Sequence, residues 1–169
     1  MGIQPTDEWL EKDLYHPEKL FRNITAEEEN PEALYQYLLR FGMYRPGRLA
    51  KEIYEELVKK EIWKRTKNIF DHYRKMWDGP DIPVYIFPKR RFMNEIDPDK
   101  SGISFKDKMF LFLHDVKQKK ELEALIVHEY HHVCRLNRIS KPMHDYSLLD
   151  SMVIEGLAEF AVTKYCGEN

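Results

Sequence analysis

Residues 124–134 of this 169-residue chain read Ala-Leu-Ile-Val-His-Glu-Tyr-His-His-Val-Cys. Apolar residues fall on nearly every side of the stretch, which predicts a buried helix running from about Gln118 to Arg138. Three histidines and a glutamate inside such a helix are costly to bury unless their polar atoms find partners. The stretch therefore predicts a central helix and a partner for its polar side chains.

A metal ion is the partner that this pattern favours. His128 and His132 are four residues apart, so a helix places both imidazoles on one face, where they can bind one Zn²⁺. Glu129 lies about 100° around the helix, beside the metal, where it can take a proton from zinc-bound water. The H-E-x-x-H motif is short enough to occur by chance. The alternative is a half-buried helix whose histidines are merely hydrogen-bonded.

A pair of acids follows on the next predicted helix, which starts near Ser147 with a Ser147–Asp150 capping box. Glu155 and Glu159 are four residues apart and repel each other on an ordinary helix, whereas a nearby cation reverses that effect. We expect Glu155 to be the third zinc ligand, which leaves the fourth position for water. We expect Glu159 to accept a hydrogen bond from a ligating histidine and to fix its tautomer. The alternative is two solvated surface glutamates.

Weaker signals come from three other side chains and one loop. His131 is an alternative ligand, but the spacing of His128 and His132 is the better precedent, so we assign His131 to packing or to supporting the ligands. His144 and Tyr146, between the two ligand helices, are candidates to stabilise an oxyanion, with plain surface residues as the alternative. Residues 97–102 imitate a calcium loop but lack its final glutamate, so they predict a turn.

The rest of the chain predicts an α+β fold. Residues 1–30 suggest short helices or an irregular arm, Pro31 starts a helix that Gly42 ends, and residues 46–77 form two helices or one kinked helix. After a stop at residues 78–80, strands are predicted at 84–87 and 109–113, followed by the two ligand helices. In zincins, which the H-E-x-x-H motif resembles, the strand before the active helix commonly edges the cleft, so we expect residues 109–113 to pair with extended peptide; the alternative is an ordinary core strand.

Charge and composition exclude several classes of function. The chain has 27 Lys+Arg against 29 Asp+Glu, a net charge of −2, which gives no general attraction to nucleic acid or to an anionic membrane. We see no signal peptide and no apolar run of about 20 residues. The two cysteines, Cys134 and Cys166, suggest free thiols in a reducing compartment. We therefore expect a cytoplasmic protein that binds neither nucleic acid nor membrane; its oligomeric state stays open.

Residues 155–160 read Glu-Gly-Leu-Ala-Glu-Phe, an E-G-x-A-x-[FY] pattern. The chain resembles the gluzincin metallopeptidases in having this pattern after the H-E-x-x-H motif. There the glutamate before the glycine is the third ligand, which corresponds to Glu155. The stretch from Phe110 to the Glu155 helix also resembles the YjaZ family of bacilli, predicted zinc-dependent proteases (DUF2268), most strongly over residues 103–165. The resemblance implies a zincin-like fold with one Zn²⁺ per chain. Such proteins usually continue past the glutamate helix, so it also implies a chain truncated after Asn169.

These observations predict a zinc metallopeptidase that hydrolyses peptide bonds of a peptide or protein substrate, with Glu129 as the general base. We expect residues 1–78 to form an N-terminal helical region that packs on a catalytic region, residues 79–169, within one structural domain. Two alternatives stay open. One is a non-catalytic or regulatory binding protein that keeps the zincin fold, and the other is a zinc hydrolase of a non-peptide amide or ester.

Overall fold

The computed structural model describes residues 1–27, 29–91 and 100–167. Within these ranges it has seven α-helices and a four-stranded sheet, which confirms the predicted α+β class. The elements in chain order are β1 (Gly2–Ile3), α1 (Thr6–Asp13), α2 (Pro17–Arg22), α3 (Pro31–Leu38), α4 (Arg48–Lys59), α5 (Ile62–Trp77), β2 (Pro83–Pro88), β3 (Lys100–Ser104), β4 (Met109–Leu113), α6 (Lys119–Arg138) and α7 (Leu148–Cys166).

The sheet has the strand order β1-β2-β4-β3. β2 pairs with β1 and β4 in parallel, whereas β3 pairs with β4 in the antiparallel sense. All five side chains of β4 are buried, because this apolar strand lies between two others. The expectation that β4 edges the cleft is therefore wrong. Among the described strands, the edge on this side of the sheet is β3, a strand that the sequence pattern did not reveal because it contains a glycine, two serines and a lysine.

The N-terminal segment belongs to the same core as the sheet. Residues 2 and 3 pair with β2, so the arm contains a strand as well as the short helices α1 and α2. The hydroxyl of Thr6, at the start of α1, is fully buried and donates to the carbonyl of Ile86 over 2.7 Å. The same oxygen accepts a hydrogen bond of 2.8 Å from the indole of Trp63. These bonds join the arm, the sheet and α5.

The region from residue 46 to 77 forms two helices rather than one kinked helix. α4 ends at Lys59 and α5 begins at Ile62, with Glu61 between them in the left-handed region at φ 52°. The break lets each helix turn its own apolar face to the core. Upstream, Asn30 caps α3 by accepting from two backbone N–H groups, and Gly42 ends the segment at φ 108°.

α6 has nearly the predicted bounds, and α7 begins where predicted. α6 packs against β3, β4 and α5, and α7 packs along α6. The Ser147–Asp150 capping box is present at the start of α7, as predicted. α7 buries only Ala158 and Ala161 fully, while large apolar side chains on its outer face are exposed: Leu148, Leu149, Met152, Val153 and Phe160. Among the described residues, no helix is both long and apolar enough to cross a membrane.

Candidate metal centre

α6 brings His128 and His132 together in the lining of one cleft. Their Nε2 atoms are 3.0 Å apart, and the imidazole planes are nearly perpendicular. His132 is the more buried of the two, with a side chain that is 11% exposed against 21% for His128. The pKa of His132 is lowered to about 4. Burial is the largest cause, and the positive charge of a protonated His128 is the second. The environment thus favours the neutral imidazole, which is the form that binds a metal.

α7 adds a carboxylate to this pair. One oxygen of Glu155 lies 3.4 Å from Nε2 of His128, and the other lies 3.4 Å from Nε2 of His132. The donor atoms of the three side chains all lie within 4.8 Å of one another. The side chain of Glu155 is 62% exposed, so the donors meet where the cleft is open to solvent. The structure therefore brings the three predicted ligands to one place.

The spacing of these donors can be compared with what zinc requires. Two ligands of a tetrahedral zinc ion, with bonds of about 2.0–2.1 Å, are about 3.3 Å apart. The separation of 3.0 Å between the two Nε2 atoms and the two contacts of 3.4 Å, each made by a different oxygen of Glu155, are close to that value. Two neutral imidazoles whose Nε2 lone pairs face each other also repel unless a proton or a cation lies between them. The residues present therefore fit a zinc ion.

Glu159, one turn after Glu155, contacts the other side of His128. Its Oε1 lies 2.9 Å from Nδ1 of that imidazole. Nδ1–H can donate to the carboxylate, which leaves the Nε2 lone pair directed at His132 and Glu155. The two glutamates of α7 therefore lie next to different ring nitrogens of His128: Glu155 is near Nε2 and Glu159 is near Nδ1.

Glu129 lies beside the three donors, between α6 and β3. Glu129 as a whole is only 7% exposed, and its Oε2 lies 2.6 Å from the hydroxyl of Ser104 on β3. Burial is the main reason that the pKa of Glu129 is raised, and hydrogen bonding by Ser104 opposes that rise. Gly102 approaches the same side chain so closely that a Cβ added there would lie 2.6 Å from Cγ of Glu129.

The cleft next to these residues has a volume of about 430 Å³. Tyr146 lines it together with Met143, Ile154 and, from β3, Ser104. His144 is not among the lining residues. Its side chain is 80% exposed and lies 3.5 Å from Asp145. The structure thus separates the two oxyanion candidates, placing Tyr146 in the cleft and His144 at the surface.

His131 lies away from the metal-binding group. Its ring packs edge-on against Trp77 at a centroid distance of 5.9 Å, and it lines a different cleft between α6 and α7. Burial lowers its pKa, followed by the positive charge of Arg135. This placement favours the packing role over the alternative of a metal ligand.

Ser104 and Gly102 are site residues that the sequence analysis missed. Both belong to the polar edge strand that the period-two pattern did not reveal. The available signal was the Lys-Ser-Gly-Ile-Ser segment ahead of an apolar strand, with Gly102 and Ser104 two residues apart and hence on one face. Of the predicted turn over residues 97–102, residues 97–99 lie outside the described residues, and the prediction is wrong for residues 100–102, which belong to β3.

Comparisons with known proteins identify the family of the chain. A family model described as "Predicted Zn-dependent protease (DUF2268)" matches residues 62–169, which include all three donors and Glu129. The uncharacterized protein YjaZ of Bacillus subtilis (strain 168) is 35% identical over 181 aligned positions, which cover 100% of this chain and 67% of that protein. No solved structure shows a significant match. The chain therefore belongs to the family of predicted Zn-dependent proteases (DUF2268).

Proposed function

We propose that this protein is a zinc-dependent metallopeptidase of the zincin type, with one Zn²⁺ held by His128, His132 and Glu155. The observation that carries the proposal is the convergence of these three donors beside the buried carboxylate of Glu129. When bound, zinc supplies Lewis acidity that polarises a carbonyl and lowers the pKa of water to about 7. Three protein ligands with an open fourth position are typical of catalytic rather than structural zinc.

Glu129 acts as the general base and then as the general acid. Its carboxylate accepts the proton of the attacking water and delivers it to the nitrogen of the leaving amine. The placement of this carboxylate between α6 and β3, next to the donors and outside their cluster, supports that role. Glu159 orients His128 through Nδ1, so the imidazole presents Nε2 to the metal.

The substrate in this proposal is a peptide in extended conformation. Among the described strands β3 is at the edge of the sheet, and Gly102, Ile103 and Ser104 line the cleft, so a peptide could add to this edge as a further strand. Backbone hydrogen bonds would hold it with little dependence on sequence. The phenol of Tyr146 is the candidate that donates to the developing oxyanion, because it lines the same cleft.

The proposal includes the division of the chain into an N-terminal helical region, residues 1–78, and a catalytic region, residues 79–169. All the residues assigned a role above lie in the second region. The pairing of β1 with β2 favours treating both as one structural domain.

The decisive experiment combines metal analysis with peptide hydrolysis by Glu129→Gln. We expect about one zinc per chain in both proteins and a loss of at least about 100-fold in turnover for the variant, because the base is removed while the ligands remain. Glu55→Gln, an exposed glutamate on α4, is the matched control and should keep full activity. A zinc-free wild type, or undiminished turnover by Glu129→Gln, would overturn the proposal. Hydrolysis of amides or esters without peptide hydrolysis would favour a non-peptide substrate.

A further inference from the structure

The edge strand β3 turns one face toward the side chain of Glu129. Gly102 and Ser104 are two residues apart and therefore lie on that face. A Cβ at Gly102 would lie 2.6, 2.7 and 2.8 Å from Cγ, Cδ and Oε1 of Glu129, so the glycine backbone is in direct contact with the carboxylate. No side chain could occupy this position without displacing Glu129.

Ser104 completes the contact with a hydrogen bond. Its hydroxyl lies 2.6 Å from Oε2 of Glu129 and 2.8 Å from the backbone carbonyl of the same residue. The carboxylate is the stronger acceptor, because hydrogen bonds to charged oxygens are shorter and stronger than those to neutral ones. The side chain of Glu129 is thus confined by backbone on one side and by a hydroxyl at one oxygen.

We propose that Ser104 is a positioning residue that holds the carboxylate of Glu129 in the orientation needed for proton transfer. This inference rests on the proposed function, since it assigns Glu129 the role of the base. The hydroxyl acts through Glu129, because its hydrogen-bond partners are the carboxylate and the backbone carbonyl of that residue. A displacement of about 1 Å in such a group can cost on the order of 100-fold in rate, so one hydroxyl can matter greatly for turnover.

A purely structural role for Ser104 would have a different signature. The bond to the backbone carbonyl of Glu129 could simply join β3 to α6. Ser101 offers a matched control, because its hydroxyl donates to the backbone carbonyl of Phe41 over 2.7 Å from the opposite face of the same strand. Ser101→Ala removes one hydroxyl and one hydrogen bond from β3 without contact with Glu129.

The test compares Ser104→Ala, Ser104→Thr and Ser101→Ala in the full chain loaded with zinc. We expect Ser104→Ala to lower kcat by about 10–100-fold with zinc content unchanged and KM within about twofold. Ser104→Thr restores the hydroxyl and should recover most of kcat, and Ser101→Ala should change kcat by less than about twofold. Wild-type kcat in Ser104→Ala, or an equal loss in Ser101→Ala, would overturn the inference.

A second readout does not depend on activity. Crystal structures of the wild type and of Ser104→Thr should show one conformer of the Glu129 side chain, whereas Ser104→Ala should show several or a rotated one. An unchanged, single conformer in Ser104→Ala would overturn the inference. A wild type without zinc-dependent hydrolysis, combined with a carboxylate that loses its order in Ser104→Ala, would refute the proposed function and leave the positioning by Ser104 intact.

Discussion

Oε1 of Glu159 lies 2.9 Å from Nδ1 of His128, while the opposite nitrogen of the same ring lies 3.4 Å from Glu155. The two glutamates are one helical turn apart on α7. Carboxylates of a single helix therefore contact both nitrogens of an imidazole that belongs to another helix. The like charges that would repel each other on an isolated helix are separated here by a histidine.

Removal of the Glu159 carboxylate should weaken zinc binding. We expect Glu159→Ala to lower zinc affinity by about 10–100-fold, because His128 loses the acceptor that fixes its tautomer and ring orientation. Competition with a chromophoric chelator measures this change. Glu55→Ala, on the exposed surface of α4, controls for the loss of a negative charge. An affinity equal to that of the wild type in Glu159→Ala would show that His128 needs no such support.

The two oxyanion candidates should behave differently. We expect Tyr146→Phe to lower kcat by on the order of 100-fold or more, because a donor aimed at developing charge is lost from the cleft. His144→Gln should have a small effect, since that side chain is 80% exposed and is not among the residues that line the cleft. Steady-state kinetics on one peptide substrate compares the two variants. The reverse order of effects would move the oxyanion role to His144.

Two glycine substitutions should change stability in opposite directions. A Cβ at Gly79 would collide with the hydroxyl of Tyr130 and lie 2.8 Å from Sγ of Cys134, so Gly79→Ala should cost about 1–3 kcal/mol through overpacking. Gly156 lies within α7, with nothing within 4 Å of an added Cβ. Gly156→Ala should therefore stabilise the protein by about 0.5–1 kcal/mol through helix propensity. Denaturant unfolding checks both signs, and equal shifts in one direction would contradict the packing described at Gly79.

Zinc should stabilise the folded chain. At a free zinc concentration of about 100 times Kd, a ligand that binds only the native state adds about 2.7 kcal/mol. For a chain of this size that corresponds to a rise in Tm on the order of 5–10 °C. Glu155→Ala should lose most of this rise, because α7 then contributes no ligand. Differential scanning fluorimetry with and without zinc provides the measurement, and a zinc-independent Tm in the wild type would argue against a native site.

The sequence allowed the prediction of the elements whose residues carry a strong local pattern. The helix around His128 and the capping box at Ser147 lie where predicted, because burial and capping act within a few residues. The grouping of Glu155 with the two histidines could also be anticipated, since a turn at Pro142 reverses the chain. Its role as a ligand stays a prediction until a metal is measured.

The edge strand could not be predicted in the same way. β3 has no apolar alternation, because one of its faces is formed by Gly102 and Ser104 against a carboxylate and its outer edge is unpaired among the described strands. Its place in the sheet comes from pairing with β4, a contact between separate segments of the chain. Consequently the sequence pattern predicts β4 at the edge of the cleft and does not indicate Ser104. The exposure of His144 likewise depends on how one connecting segment folds.

The three donors are divided between helices that are anchored to very different extents. α6 buries six apolar side chains in the core, whereas among the described residues of α7 only two alanines are buried. Local opening is cheapest where little apolar surface is buried, so α7 should separate from the core well before α6. Two donors would then remain in place while the third swings away. A bound ion could therefore leave or enter through a partial opening, and the lifetime of the metal would be set by the kinetics of one helix rather than by global unfolding.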